Sequence, residues 1–284
     1  MSQAFCIGEC MVELRRAGEG LLRQGFAGDS YNTAVYLKRS APEIAVHYVT
    51  ATGTDPMSGA MRAAWSAEGI EDGLAFAVSD RRPGLYMIEL DGAGERRFHY
   101  WRGESAARRW LAELRATGIG RLFGADLVYL SGISLAILTP EDRRGALALL
   151  DELRGKVGKI AFDPNYRPAL WQSREEAAGM VREVVARCDI FLPSSEDVEA
   201  LQLLPDCAET AMTADGARCL VDGEWVQGKL AARVVDTSGA GDSFNGAYLA
   251  ARLRGASPPE AARAGLALAV EVVGHPGAVI PRGS

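Results

Sequence analysis

Apolar runs of three to five residues, bounded by Gly, Pro or Asp, alternate along this chain with longer amphipathic stretches. Short buried strands joined by crossover helices produce such an alternation. The predicted central strands are 4–7, 46–50, 127–130, 159–162 and 190–192, and the predicted helices are 57–68, 141–154, 173–187 and 258–273. The pattern therefore predicts an α/β fold with a doubly wound, mostly parallel sheet.

Residues 85–101 depart from this rhythm. The runs 85–90 and 96–101 alternate side-chain character with period two and flank the turn Asp91-Gly92-Ala93-Gly94, which predicts a β-hairpin. A hairpin inserted between crossover units projects from the sheet, and projecting antiparallel elements commonly serve as lids or dimer contacts. We therefore expect a small β-hairpin lid.

The composition is that of an ordinary globular protein, with 284 residues, 48% of them hydrophobic, and a formal net charge of -6. This charge argues against nucleic-acid binding, because nucleic-acid binders concentrate Lys and Arg on one face. The most apolar late segment, 265–273, is too short to span a bilayer, and residues 1–5 show no secretion signal. The five cysteines lack zinc-ligand spacing and the three histidines are scattered. We therefore expect reduced thiols, a cytoplasmic location and no protein metal cage.

The strongest chemical signal lies at residues 234–244, Val-Val-Asp-Thr-Ser-Gly-Ala-Gly-Asp-Ser-Phe, which the helical run 245–253 follows. Glycines let backbone N–H groups converge on one point, and a helix N-terminus adds partial positive charge, so this loop can hold phosphoryl charge. Asp242 then lies where that charge develops. The same residues also fit a tight turn in which Asp242 caps the helix, and the spacing alone leaves both interpretations open.

This run resembles, without interruption, the C-terminal signature of the ribokinase-like, PfkB-type sugar kinases, Asp-Thr-Thr/Ser-Gly-Ala-Gly-Asp-Ser/Thr-Phe. The resemblance implies that Asp242 removes the proton of a sugar hydroxyl and that the amides of Gly239, Ala240 and Gly241 form an anion hole. It also implies ATP as the phosphate donor. Mg²⁺ would arrive with ATP, held mainly by phosphates and water, and some relatives hold a monovalent cation near the position of Asp236.

A second family signature matches the turn Gly28-Asp29-Ser30-Tyr31-Asn32-Thr33-Ala34, which precedes a predicted helix at 32–38. In the family this turn touches the hydroxyl groups of the sugar, and the resemblance carries substrate binding to Gly28, Asp29 and Asn32. Asp29 or Ser30 could also cap the helix, and both roles could hold at once.

Further segments resemble the 2-keto-3-deoxygluconate kinases of this family, and this resemblance extends over nearly the whole chain. These segments are 8–13, 100–102, 131–136 and 163–168. By analogy Tyr86, Tyr100, Arg102 and Arg167 line a sugar-acid pocket, where a guanidinium offers a planar fork for the substrate carboxylate. Taken singly, the tyrosines also fit packing within the hairpin, Arg102 a solvated surface charge, and Arg167 a structural pair with Asp163.

The nucleotide side departs from the family pattern. Relatives usually carry another helix between the predicted helix 195–203 and the strand-like residues 209–213, where this chain keeps only 204–208. The loop 213–217 matches the nucleotide loop of the family imperfectly. The resemblance assigns nucleotide contacts to Asn165, Arg167, Ser194, Thr213, Gly216, Gly239, Gly241 and His275.

We expect one ribokinase-like kinase domain over residues 1–284, with lid elements around 9–30 and 84–102. The resemblance implies ATP-dependent phosphorylation of 2-keto-3-deoxygluconate at its terminal hydroxyl. An exposed lid could also pair two subunits into a homodimer. A kinase for a neutral ketose or a nucleoside, and a non-catalytic sugar-acid sensor, stay open as alternatives.

Overall fold

The computed structural model describes residues 2–90, 96–204 and 207–282. Its strands are β1 Gln3–Ile7, β2 Met11–Gly18, β3 Leu21–Ala27, β4 Ala45–Thr52, β5 Glu71–Ala77, β6 Leu85–Leu90, β7 Arg96–Trp101, β8 Leu127–Ser131, β9 Lys159–Asp163, β10 Ile190–Phe191, β11 Glu209–Ala214, β12 Arg218–Val221 and β13 Glu224–Gln227. Its helices are α1 Asp29–Ser40, α2 Pro56–Ala67, α3 Trp110–Thr117, α4 Gly132–Ala136, α5 Pro140–Leu153, α6 Arg174–Val185, α7 Ser195–Leu201, α8 Ala240–Leu253 and α9 Pro258–Val272. Among these helices, none is long and apolar enough to cross a membrane.

The central sheet has the strand order β13-β12-β11-β10-β9-β8-β1-β4-β5. Its pairs are parallel from β11 through to β5, and only β11–β12 and β12–β13 are antiparallel. The chain runs outward from β1 to β5 and then returns to β8 on the other side of β1, which is a doubly wound topology. This confirms the predicted fold class, and β1, β4, β8, β9 and β10 correspond to the five predicted strands.

Helices cover both faces of the central sheet. One core contains side chains of α1, α2, α8 and α9, including Trp65 and Phe244, and the other contains side chains of α3, α5 and α6, including Trp110. Neighbouring residues of β1 supply opposite cores, because Cys6 belongs to the first and Ile7 to the second. This alternation is the strand period of two, with both faces buried.

A second, small sheet has the order β3-β2-β6-β7 and is called the small sheet below. The predicted hairpin is present as β6 and β7, with Tyr86 opposite Tyr100, whereas the predicted turn at 91–94 lies outside the described residues. Strand β2 pairs with β3 in antiparallel fashion and with β6 in parallel fashion, and this register places Glu13 beside Tyr86. Glu13, Tyr86 and Tyr100 therefore share one face of the small sheet.

Candidate active site

A cavity of about 730 Å³ opens where β9, β10 and β11 end. Ligands of open α/β sheets bind at the carboxyl ends of the strands, which is where this cavity lies. The predicted site residues that line it are Asn165, Arg167, Ser194, Thr213, Gly239, Ala240, Gly241 and Asp242. A neighbouring cavity of about 220 Å³ shares Ser194, Thr213, Ala240 and Gly241 and adds Gly216. Phe98 of the small sheet also lines the larger cavity.

Asp242 lies partly buried in the first turn of α8. Its Oδ2 accepts a hydrogen bond of 2.8 Å from Nδ2 of Asn32, across 210 residues of sequence. Burial raises the pKa of Asp242 to about 7, and the negative charge of Asp29 adds to the rise, whereas the Asn32 hydrogen bond and the positive charge of Arg167 oppose it. A carboxyl group with a pKa near neutrality suits proton transfer.

The glycine loop before Asp242 holds the backbone in a conformation that needs glycine. Gly239 has a φ of +75°, and a Cβ built on it would lie 2.5 Å from the carbonyl oxygen of Ala278. Gly239 is the N-cap of α8, and no side chain hydrogen-bonds at that cap. The capping alternative for Asp242 therefore does not hold, because its carboxylate instead accepts from Asn32.

The side chain of Asp236 holds this loop through two hydrogen bonds. Its Oδ1 accepts from the amide of Ser238 at 2.7 Å and its Oδ2 accepts from the amide of Gly277 at 2.6 Å. Of the predicted anion-hole amides, that of Ala240 donates to the carbonyl of Thr237 at 3.3 Å. The first turn of a helix leaves amide groups without helical partners and carries partial positive charge, so this end of α8 favours an anion.

The turn at Gly28 brings α1 against the end of β1. Gly28 has extended backbone, and a Cβ on it would lie 2.1 Å from the carbonyl oxygen of Glu9, so no side chain fits there. Gly28 is the N-cap of α1 without a side-chain hydrogen bond, so neither Asp29 nor Ser30 caps this helix. Buried Asp29 instead accepts from Nδ2 of Asn165 at 3.1 Å.

Three further carboxylates line the cavity without having been assigned from the sequence, namely Asp163, Asp197 and the exposed Glu196. Asp163 is buried and accepts from the amide of Asn165 and from Nδ2 of Asn245, each at 2.8 Å. Burial raises the pKa of Asp163 well above its ordinary value, and the charges of Asp197, Asp242 and Asp29 raise it further. The sequence signal for Asp163 was its place at the end of a predicted strand.

Asp197 is held in a capping box with Ser194 at the start of α7. Its other oxygen accepts from the amide of Tyr166 at 2.8 Å, which fixes the loop that carries Arg167. Arg167 donates to the carbonyl of Tyr166 at 3.1 Å, and Asp163 is held by the two asparagines named above. Arg167 and Asp163 are therefore each held by other partners, and not by the pair considered from the sequence. The spacing Ser194-x-x-Asp197 predicts a capping box and could have pointed to Asp197.

Arg102 is not a solvated surface charge. Its side chain is 10% exposed and forms an ion pair with Glu9, whose side chain is fully buried. The Nε of Arg102 and the Oε1 of Glu9 are buried without a hydrogen-bond partner in the described structure. The guanidinium carbon lies 5.8 Å from the ring centre of Tyr100. Glu9, which the sequence analysis left without a role, thus sets the position of the predicted carboxylate ligand.

The two hairpin tyrosines differ in what they offer a ligand. The Tyr86 hydroxyl is buried and donates to Glu13, whose other carboxylate oxygen bonds Arg15 at 2.8 Å. Tyr100 is 50% exposed, and its ring centre lies 5.8 Å from that of Tyr86. Tyr100 can therefore reach a ligand with its hydroxyl, whereas Tyr86 can contribute only its ring unless Glu13 releases it.

The remaining nucleotide-side residues differ in their placement. Thr213 donates its amide to the carbonyl of Pro193 at 3.0 Å, and Gly216 turns the chain with a φ of +66°. Neither cavity described above is lined by His275, whose amide donates to the carbonyl of Val272 at 3.0 Å. The loop after α9 approaches the site through Gly277 instead. The resemblance placed His275 near the adenine, and that contact stays a prediction.

The part of the chain that the structure describes holds no group of three or more His, Cys, Asp or Glu side chains suited to a metal ion. Four carboxylates, Asp29, Asp163, Asp197 and Asp242, nevertheless act on one another electrostatically. The region therefore carries an excess of negative charge, which a bound cation would relieve.

Comparison with known proteins gives consistent results. A sequence model of the pfkB family carbohydrate kinases matches residues 1–215 and 210–282. The 2-dehydro-3-deoxygluconokinase of Escherichia coli is 42% identical over 298 residues, which covers 97% of this chain and 96% of that protein. The enzyme of the same name from Dickeya dadantii is 42% identical over 300 residues, again with 97% and 96% coverage.

Solved structures agree on the fold. The 2-dehydro-3-deoxygluconokinase of Thermotoga maritima superposes with a TM-score of 0.78 at 20% identity, covering 99% of this chain and 96% of that one. A fructokinase of Vibrio cholerae with bound fructose, ADP and calcium ion superposes with a TM-score of 0.81 at 23% identity, covering 98% and 94%. The chain belongs to the pfkB family of carbohydrate kinases.

Proposed function

We propose that this protein transfers the terminal phosphate of ATP to the terminal hydroxyl of 2-keto-3-deoxygluconate (2-dehydro-3-deoxygluconate), giving 2-keto-3-deoxy-6-phosphogluconate. The observation that carries the kinase chemistry is the partly buried Asp242 carboxylate at the amino end of α8, which lines the larger cavity and has a raised pKa. The choice of substrate is supported by 42% identity, over nearly the whole chain, to enzymes named for that reaction.

Asp242 acts as the general base in this proposal. Above a pH of about 7 it is mostly a carboxylate, and it can take the proton of the sugar hydroxyl as that oxygen attacks phosphorus. Asn32 donates to Oδ2, which leaves Oδ1 to face the substrate. The amides of Gly239 and Gly241 stabilise the charge that develops on the transferred phosphoryl group, and the amide of Ala240 joins them when it gives up its bond to the carbonyl of Thr237.

The two adjoining cavities suit a nucleotide with Mg²⁺. The smaller one has apolar walls from Ala214, Phe244 and Leu266, which fit a planar base, and Ser194 and Thr213 border both cavities. When bound with ATP, Mg²⁺ neutralises phosphate charge. Burial, together with the charges of Asp197, Asp242 and Asp29, raises the pKa of Asp163. Asp163 and Asp197 are the cavity side chains that would hold the ion, through its water shell. A monovalent cation near Asp236 stays a prediction, which the potassium dependence of turnover tests.

Arg102 is proposed to bind the substrate carboxylate. Its guanidinium lies near Tyr100 and is anchored by Glu9, so little side-chain entropy remains to be lost on binding. Arg102→Ala should raise the KM for the sugar acid by about tenfold or more with a smaller change in kcat. Arg109→Ala, on the exposed start of α3, is the matched control and should leave the KM unchanged. An unchanged KM in Arg102→Ala would remove this residue from the carboxylate site.

The assay for the proposed function measures ADP formation with a panel of acceptors. The wild type should turn over 2-keto-3-deoxygluconate far faster than fructose or adenosine. Preference for a neutral acceptor would show that the protein is a kinase for a different substrate. Binding of the sugar acid without ADP formation would favour a sensor over an enzyme.

We also propose a cytoplasmic homodimer formed through the small sheet. Leu21, Leu22 and Trp101 are 64%, 50% and 59% exposed there, and apolar side chains on a projecting sheet commonly mark an interface. Light scattering should give twice the chain mass for the wild type and a smaller mass for Trp101→Ser. A monomeric wild type would contradict this part of the proposal.

A further inference from the structure

Two cysteines lie together on the side of the sheet away from the cavity. Cys188 comes shortly before β10 and Cys207 shortly before β11, so both lie at the amino ends of parallel strands whose carboxyl ends border the cavity. Their Sγ atoms are 3.6 Å apart, and both residues are partly buried. The other three cysteines, Cys6, Cys10 and Cys219, are buried.

The surroundings of the two thiols shift their pKa values in opposite directions. The sulfur–sulfur contact with Cys188, helped by the backbone amide of Glu209, lowers the pKa of Cys207 against the opposing effect of burial. The same contact and burial raise the pKa of Cys188. Burial alone raises the pKa of Cys6 and Cys219 to about 12. Cys207 is therefore the more readily deprotonated thiol of the pair.

We propose that Cys188 and Cys207 form a peroxide-sensitive thiol pair that oxidises to an intramolecular disulfide. The Cys207 thiolate attacks hydrogen peroxide, which breaks the O–O bond, releases hydroxide and leaves a sulfenic acid on Cys207. Sγ of Cys188 then attacks that sulfur, loses its proton, and displaces hydroxide to form the S–S bond. In total two thiols and one peroxide give one disulfide and two waters, so the peroxide is reduced and both sulfurs are oxidised.

The position of the pair decides what the disulfide would do. It would join the starts of β10 and β11 and enclose α7, whose amino end carries Ser194 and Asp197 at the cavity. Because the bond closes the chain at the opposite end of these strands, it leaves the cavity lining in place. The oxidised protein should therefore be more heat-stable, with Tm raised by roughly 5 °C, and should bind its ligands as before.

The test starts from fully reduced wild-type protein treated with a small molar excess of hydrogen peroxide. Denaturing alkylation with mass spectrometry should show that free thiols fall from five to three and that the new cross-link joins residues 188 and 207. Cys219→Ala, which alters a buried thiol outside the pair, should form the same cross-link. Cys188→Ser should instead accumulate a sulfenic acid at Cys207, trapped by dimedone, and Cys207→Ser should lose no thiol at comparable peroxide.

Three results would overturn the proposal. They are five intact thiols in peroxide-treated wild type, a disulfide that joins any other pair, and thiol loss in Cys207→Ser at the wild-type rate. The Tm provides an independent check, because the rise should appear in wild type and Cys219→Ala, vanish on reduction with dithiothreitol, and be absent from Cys188→Ser. A Tm that does not change on cross-linking would contradict the predicted effect on α7.

Discussion

Replacing Asp242 by Asn tests two effects of this carboxylate, namely its role in catalysis and the folding stability that its charge removes. The substitution keeps the size of the side chain, and the new amide can turn its Oδ1 toward Nδ2 of Asn32, which now donates to the carboxylate at 2.8 Å. Only the charge and the ability to take a proton are lost. We expect turnover to fall by at least about a thousandfold while the free energy of unfolding at pH 8 increases.

The size of the stability gain follows from the pKa. Burial, with the charge of Asp29, raises the pKa of Asp242 from 3.8 to about 7. At about 1.4 kcal/mol per pH unit this rise is worth roughly 4 kcal/mol, which is an upper bound on the cost of the buried charge. The group binds its proton more tightly in the folded state, so wild-type stability declines as pH rises from about 4 to about 7. The gain in Asp242→Asn should be near zero at pH 4 and about 1–4 kcal/mol at pH 8.

Urea unfolding at pH 4, 6 and 8 measures this gain, with ADP formation measured on the same samples. Asp80→Asn is the matched control, since the side chain of Asp80 is 69% exposed and its substitution should change neither quantity appreciably. A variant of Asp242 that loses turnover but is less stable than wild type at pH 8 would refute the buried-base reasoning. Retained turnover would refute the role of Asp242 altogether.

Three further predictions test other parts of the site. Gly239→Ala places a Cβ against a backbone carbonyl at a φ of +75°. It should lower the free energy of unfolding by about 2–4 kcal/mol and turnover by about a hundredfold. The control Gly255→Ala, at a φ of +86° in open space, should lower the free energy of unfolding by only about 1 kcal/mol and leave turnover unchanged. Glu9→Gln removes the carboxylate that anchors Arg102, and we expect about a tenfold higher KM for the sugar acid. A fall in kcat with an unchanged KM would contradict the role of Glu9 in positioning Arg102. Asp29→Asn removes a charge that raises the pKa of the base, so the acid limb of the kcat/KM profile should shift about one unit lower, and an unshifted limb would contradict that electrostatic link.

Much of the fold follows from local pattern. The predicted strands and helices agree with the structure because both faces of the sheet are buried, which makes each parallel strand a short apolar run. The ribbon of β2 and β3 is less visible, since much of its surface is exposed and its residues do not alternate cleanly. The parallel pairing of β2 with β6 joins Glu13 to Tyr86 across 73 residues, and no local periodicity encodes such a contact.

Some residues of the candidate site can likewise be predicted from the local sequence, and others cannot. The glycine loop and the start of the helix that carries Asp242 are a local signal, and so is the glycine turn at 28, although residues 234–236 form no strand in the structure. The cluster of Asp163 with Asp197 is not, because burying carboxylates together is unfavourable until the folded chain supplies amide and asparagine donors. The partner of Arg102 was missed for a similar reason, since Glu9 and Arg102 are 93 residues apart in sequence and only the folded chain brings them together.

The function proposed for this protein is the phosphorylation of an acidic sugar with Asp242 as the base. Its most direct test is ADP formation by the purified wild type with MgATP and 2-keto-3-deoxygluconate, with Asp242→Asn measured in parallel. We predict turnover of about 1–100 per second for the wild type, product phosphorylated at the terminal hydroxyl, and no measurable turnover for the variant. No ADP formation by the wild type, or equal rates for both proteins, would contradict the proposed function.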